Sequence, residues 1–290
     1  MTTNERKFNN FASRTAEAGI NNILTEQNMN TPSLQQIIDI VKEAAGLMQT
    51  DAFEISEKEG FANIVTSSDV AVQDFLCGRL KELMPDSGFL CEEEDMWDTS
   101  HEYTWIIDPI DGTANYSRGI AQCAICVGLK HNEDMAMGVV YIPMTGEMFY
   151  AEQGKGAFLN GRQIHVSERP FENSLLCTAL PVYHKEYAQM CSDIIVEAFG
   201  RCNDIRRFGA CAPELCYLAM GRCELYFEYL LSPWDYAAAS LIVTEAGGTI
   251  TATDGSPVKL TQKGGVIAAN NAANHKQMTD IVAEKARSTN

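Results

Sequence analysis

The chain has 290 residues, 46% of them hydrophobic and 21% charged, which suits a globular protein with a sizeable core and excludes a disordered or fibrous chain. Its 39 acidic and 22 basic residues leave a formal net charge of -17, which would repel a phosphodiester backbone and argues against a nucleic-acid partner. Ten cysteines are scattered through the chain without a signal-like segment or a long apolar run, so reduced, buried thiols in a cytoplasmic protein with no membrane partner are expected.

Residues 1–30 read as an N-terminal extension without clean periodicity, and no function attaches to them. Two lobes follow, 31–168 and 169–290, forming one compact unit. A helix starts at Thr31-Pro32-Ser33, with Leu34, Ile37, Ile38, Val41, Ala44, Ala45 and Met48 at helical spacing. A second follows Ser68-Asp69, turns Val72, Phe75, Leu76, Leu80 and Leu83 inward, and stops before Pro85. Strands are predicted at 105–107, 123–129, 137–142 and 148–152, so this half is α+β. The Gly-rich stretch 154–161 lacks the Lys-Ser/Thr ending of a phosphate-binding loop and reads as hairpin turns.

Beyond residue 170 strands and helices alternate: a strand at 175–180, a helix at 188–199, a strand near Ile205, a helix at 212–220, a strand at 224–229, a helix at 235–246, and strands near Thr249 and Val266. That alternation reads as an α/β lobe. Cys123 and Cys126 have C-x-x-C spacing, but in a strand they point to opposite faces and read as core residues.

Asp108 and Asp111 sit between the apolar run Trp105-Ile106-Ile107 and Gly112-Thr113. Pro109 is expected to end regular pairing, and Gly112 to let backbone N–H groups approach an anion. Taken alone, two such aspartates also fit a capped loop. The longer string Asp108-Pro109-Ile110-Asp111-Gly112-Thr113-Ala114-Asn115 resembles the signature of the inositol monophosphatase family. Its members are magnesium-dependent, lithium-sensitive phosphatases of inositol phosphates, fructose bisphosphate and phosphoadenosine phosphate. Three further segments match in order: Val65-Thr66-Ser67-Ser68-Asp69, Phe89-Leu90-Cys91-Glu92-Glu93, and Pro233-Trp234-Asp235 running through Ala237-Ala238-Ala239 to Thr244-Glu245-Ala246-Gly247-Gly248.

The resemblance implies a layered α-β-α-β-α fold with the site between two lobes. It implies two or three Mg²⁺ held by Glu92, Asp108, Asp111, Asp235 and the Ile110 carbonyl, with Thr113 completing the shell. Glu92 and the pair Thr113 and Asp69 would orient or deprotonate the attacking water. Backbone N–H groups of Gly112 and Thr113 would hold the phosphate, while Gly209, Cys211 and Glu228 would face a polyol. A homodimer is implied as well. Two carboxylates ~5 Å apart repel by about 3 kcal/mol at an effective dielectric near 20, so four converging ones call for cations between them.

Singly, these residues have plainer readings: Asp69 and Asp235 as helix N-caps, Glu92 in an acidic run as a solvated face, and Glu228 as an exposed strand residue. Arg206 and Arg207 at a strand end keep fructose 1,6-bisphosphate open as a substrate. A phosphoadenosine-phosphate phosphatase and a non-catalytic regulatory protein of the same fold stay open as well. Cys91 replaces a common glycine and Cys211 a common alanine, which bears on the pocket more than on the ligands. The five histidines lie outside the matched segments, and no Gly-x-Ser-x-Gly elbow occurs.

Overall fold

The computed structural model describes residues 31–48, 54–57, 64–93 and 97–288. The predicted extension at 1–30 lies outside them. The chain divides into Met1–Ser33 and Leu34–Asn290, and all that follows concerns the second unit.

Its first elements are α1 (Leu34–Ala45), β1 (Ile55–Glu57), β2 (Ile64–Thr66), α2 (Ser67–Leu83), β3 (Gly88–Cys91), β4 (Trp97–Asp98), β5 (Tyr103–Asp111) and the one-turn α3 (Thr113–Tyr116). β6 (Ala124–His131), β7 (Asp134–Ile142), β8 (Glu147–Glu152), β9 (Ala157–Leu159) and β10 (Arg162–Ile164) complete an eight-stranded sheet in the order β10-β9-β8-β7-β6-β5-β3-β4. Then come β11 (Leu175–Thr178), α4 (Ala188–Phe199), β12 (Asp204–Arg206), α5 (Cys211–Ala219), β13 (Leu225–Leu231), α6 (Pro233–Glu245), β14 (Thr249–Ala252), β15 (Gly264–Ala269) and α7 (Ala272–Ser288). Their five strands form a second sheet, β12-β11-β13-β15-β14, parallel at β12-β11-β13 and antiparallel at β13-β15-β14.

The two-residue period of the strands sorts their side chains into layers. In β5, Trp105 and Ile107 join Val127 and Val139 under α1 and α2, where Ile37, Val41, Val72 and Leu76 meet them. Ile106 points the other way and joins Cys126 and Val140 against Leu215 of α5 and Ala238 of α6. Tyr226 and Val266 of the second sheet close that middle layer, while Leu225, Phe227 and Ile267 face Ile194 of α4 and Met278 of α7. The result is five layers, α1/α2, sheet, α5/α6, sheet, α4/α7. The sequence predicts no element after the strand near Val266, whereas α7 opens on Asn271, which accepts from the Asn274 amide at 2.9 Å, and ends with Lys285 and Arg287 in its last turn.

The α6 segment is built for close approach. A Cβ on Gly138 would lie 2.4 Å from the Ala238 carbonyl oxygen, so only glycine there lets the helix backbone rest on the strands. This seats Asp235, in the first turn of α6, over the end of β5.

The Gly-rich stretch forms the turns expected of it, with Asn160 and Gly161 at positive φ between β9 and β10. Its phosphate-loop appearance has a structural explanation: the amides of Gly154 and Gly156 donate to the two Glu245 carboxylate oxygens, both at 2.7 Å. The chain's own carboxylate fills that anion position. Cys123 and Cys126 are buried in separate clusters and bear no metal-site geometry between them.

Candidate active site

β5 does not end at Pro109. It runs on to Asp111, and its register against β6 slips between Asp108↔Cys126 and Asp111↔Ala124. The slip inserts one extra residue in β5, a bulge in which proline's missing N–H is tolerated. The bulge re-aims Asp108 and Asp111 toward one cleft of about 910 Å³. Gly112 then takes the left-handed conformation, φ +88, and a Cβ there would come within 2.9 Å of Ala210 Cβ. The site is thereby pressed against the loop that leads into α5.

Asp111 makes that junction explicit. Its carboxylate accepts from the amides of Cys211 at 3.2 Å and Ala212 at 2.6 Å, capping α5 from another sheet. Asn115 adds a second tie, donating through Nδ2 to the Gln122 and Phe208 carbonyls, both at 2.7 Å.

Asp69 and Asp235 are not N-caps. Each occupies the third position of its helix and accepts from the backbone of the preceding cap residue, Thr66 N–H at 2.8 Å and Ser232 N–H at 2.7 Å. Thr66 Oγ1 also donates to Asp69 Oδ2 at 2.5 Å, leaving Oδ1 for Thr113 Oγ1 at 3.2 Å. The Thr113 hydroxyl lies equally close to the Ile110 carbonyl, 3.1 Å, so a single proton has two acceptors to choose from. Asp69 itself stays behind this layer, whereas Glu92, Asp108, Asp111, Thr113, Glu228 and Asp235 line the cleft.

Glu92 is therefore a cleft residue and not part of a solvated acidic face. Glu228 is half-buried and receives the Tyr226 hydroxyl at 2.8 Å, so it is not a freely exposed strand residue either. Gly209 and Cys211 reach the cleft, but their amides are committed to Glu214 and Asp111.

The electrostatics follow from crowding. Burial, then Glu92, Asp111 and Asp235, holds the Asp108 carboxyl well above the usual range. Asp235 is raised in the same way, first by burial and then by Asp111 and Glu92. Asp111 is pushed by burial to about 7, with the amides of Ala212 and Cys211 pulling it back. Burial likewise lifts Glu228 to about 7 against the Tyr226 hydrogen bond and Arg207.

Asp108 Oδ1 is buried without a hydrogen-bond partner. A buried carboxylate oxygen in that condition, facing three other carboxylates, fits a hard cation with oxygen ligands. Among the described residues no three acidic, histidine or cysteine side chains stand close enough together to hold a metal ion as they are. Arg118, Arg207 and Lys263 also line the cleft, and Arg207 offsets part of the negative field at Glu228.

Several cleft residues have no counterpart in the sequence motifs. Trp97 packs edge-on against Trp234 with ring centroids 5.9 Å apart, and both line the cleft. His184 also reaches it, although it lies outside every matched segment. Lys263 arrives from the turn before β15. Nothing local in the sequence marks these residues, because the fold brings them in from remote segments, Trp97 from β4 and the others from loops. Of the two arginines at the strand end, Arg206 is bound to Asp204 at 2.5 Å and only Arg207 lines the cleft.

The family model described as "Inositol monophosphatase family" matches residues 25–288. An inositol-1-monophosphatase of Caulobacter vibrioides is 33% identical over 242 residues, covering 81% of this chain and 94% of that protein. A Nus factor SuhB of Escherichia coli is 35% identical over 223 residues, covering 76% and 82%. Among solved structures, a Thermotoga maritima IMPase superposes with a TM-score of 0.80 at 29% identity, covering 89% of this chain and 99% of that one. The extragenic suppressor protein suhB of Bartonella henselae gives 0.79 at 30%, covering 86% and 97%. With matched residues spanning both sheets and the cleft between them, the chain belongs to the inositol monophosphatase family.

Proposed function

We propose that the protein is a Mg²⁺-dependent phosphomonoesterase acting on inositol monophosphate or a similar small polyol phosphate. The observation that carries the reading is the set Glu92, Asp108, Asp111 and Asp235 around one cleft, with Asp108 Oδ1 buried and unpartnered. Glu92, Asp108, Asp111, Asp235 and the Ile110 carbonyl would hold Mg²⁺. When bound, the ions would lower the pKa of a water and offset charge on the leaving oxygen.

The chain's own groups supply the rest. The Thr113 hydroxyl, between Asp69 Oδ1 and the Ile110 carbonyl, can accept a proton from a water as its own proton shifts to Asp69. Glu92, which lines the same cleft, would orient that water. The amides of Gly112 and Thr113 stand at the start of a helical turn, where N–H groups have no acceptor within the helix, and suit phosphate oxygens. Glu228, with one oxygen held by Tyr226, offers the other to vicinal hydroxyls.

A relative named Nus factor SuhB supports a second reading, a regulatory role on the same fold, and Arg207 in the cleft keeps a bisphosphate substrate in view. Ten free thiols, and no helix among the described residues long and apolar enough to cross a membrane, support a cytoplasmic setting. A homodimer is the assembly that the resemblance implies.

The test is phosphate release from inositol 1-phosphate, fructose 1,6-bisphosphate and 3'-phosphoadenosine 5'-phosphate, with and without Mg²⁺. The highest kcat/KM is expected on inositol 1-phosphate, with no turnover in chelator. Absence of Mg²⁺-dependent release from all three rejects the reading in favour of the regulatory one.

A further inference from the structure

One face of α2 packs behind the cleft lining at three successive turns. Asp69, Gln73 and Cys77 stand four residues apart and so share a side of the helix. Asp69 holds Thr66 and Thr113. Gln73 is 2% exposed and grips the backbone of Glu93 in both directions: Nε2 donates to the Glu93 carbonyl at 2.7 Å, and Oε1 accepts from the Glu93 amide at 2.9 Å. Cys77 brings its Sγ to 3.6 Å from Sγ of Cys91.

These contacts bracket Glu92. The residue before it is buried against Cys77, and its own amide makes a last ladder bond to the Ile107 carbonyl at 3.2 Å. The residue after it has both backbone groups taken by Gln73. Glu93 is only 5% exposed, so without Gln73 a donor and an acceptor would be left in a nearly dry site, each costing about 1–3 kcal/mol. The turn would move to rewet them, and the Glu92 carboxylate would move with it. The paired distances also settle the amide orientation, since a flipped Gln73 would face N–H to N–H and oxygen to oxygen.

We propose that Gln73 is a positioning residue that fixes the Glu92 carboxylate at the cation site. The proposal rests on the reading of Glu92 as a Mg²⁺ ligand. It assigns a role to a side chain that touches neither substrate nor ion.

The experiment is Mg²⁺ titration by calorimetry on the full chain, alongside Mg²⁺ activation of phosphate release. Gln73→Leu removes both hydrogen bonds and should raise the Mg²⁺ Kd roughly tenfold or more, the scale of losing a partner that orients a metal ligand. Turnover at saturating Mg²⁺ should return to within a few-fold of wild type. Gln73→Glu keeps the acceptor for the Glu93 amide but loses the donor, and an intermediate Kd is expected; it also serves if the leucine variant does not fold. Leu80→Ala, a buried change further along the helix, should lower Tm and leave the Kd in place. A wild-type Kd in both Gln73 variants, or an equal rise in Leu80→Ala, overturns the proposal alone. A wild-type chain that binds no Mg²⁺ overturns it together with the functional reading.

Discussion

Asp111, at the end of one sheet, accepts a hydrogen bond of 2.6 Å from the amide of Ala212, in the first turn of a helix 101 residues later. The bond joins the middle helical layer to the bulged strand that carries the acidic cluster. Its carboxylate also takes the Cys211 amide, so both oxygens already have donors before any cation arrives. Asparagine offers one acceptor where two amides point, and its NH₂ would face a donor. Asp111→Asn is therefore expected to lower stability in chelator by about 1–2 kcal/mol, read from denaturant unfolding at pH 7. An unchanged midpoint would remove the cap from the account.

Asp108 should behave in the opposite sense. It is buried, one oxygen has no partner, and three carboxylates raise it. Asp108→Asn removes the least compensated charge, so the chelated protein should gain on the order of 1–3 kcal/mol. The same variant should lose the stabilisation that Mg²⁺ gives wild type, about 2.7 kcal/mol at a hundredfold excess over Kd, read as a rise in Tm. A metal-free variant less stable than wild type would contradict this.

A pH dependence follows from Glu214. Its Oε1 accepts from the amides of Phe208 at 2.7 Å and Gly209 at 2.9 Å, while Oε2 is buried without a partner. Burial raises its pKa from 4.5 to about 7, and the two amides only partly offset this. The folded state then binds the proton more tightly than the unfolded state. That contribution to stability is fully present below about 4.5 and is lost as pH rises through about 7. Glu214→Gln should gain on wild type across that window by on the order of 2–3 kcal/mol in chelator, and then run parallel above it. Parallel curves throughout would show that Glu214 does not titrate there.

Substrate choice should separate from catalysis at Glu228. This residue lines the cleft and is held by the Tyr226 hydroxyl. Glu228→Gln should raise KM for inositol 1-phosphate about tenfold while leaving phenyl phosphate, which has no vicinal hydroxyls, within about twofold. Equal loss on both substrates would place Glu228 in the chemical step instead.

Much of this architecture is legible along the chain where periodicity is strong. The amphipathic α1 and the strand that becomes β6 follow from local patterns, and α4 runs over the predicted 188–199. The site is legible only through the ordered motif set, since Asp69 and Asp235 alone look like caps and sit further in, at the third position of their helices. What the residues do not reveal is long-range. Pro109 reads as a strand stop, yet the bulge carries β5 past it. Arg206 and Arg207 are adjacent, but only the fold decides that one is tied to Asp204 and the other enters the cleft. Trp97 on β4, His184 and Lys263 reach the cleft from separate parts of the chain, and α7 carries only a short apolar stripe, although Asn271 caps its start by accepting from the Asn274 amide at 2.9 Å.

If the cleft holds Mg²⁺ for phosphomonoester hydrolysis, as proposed above, turnover depends on both the ion and Asp111. The most direct measurement is initial-rate phosphate release from inositol 1-phosphate across a Mg²⁺ titration, for wild type and for Asp111→Asn. Saturable, chelator-sensitive turnover in wild type and a loss of at least about a hundredfold in the variant are expected. Undiminished turnover in Asp111→Asn, or wild-type turnover indifferent to Mg²⁺, would contradict the account.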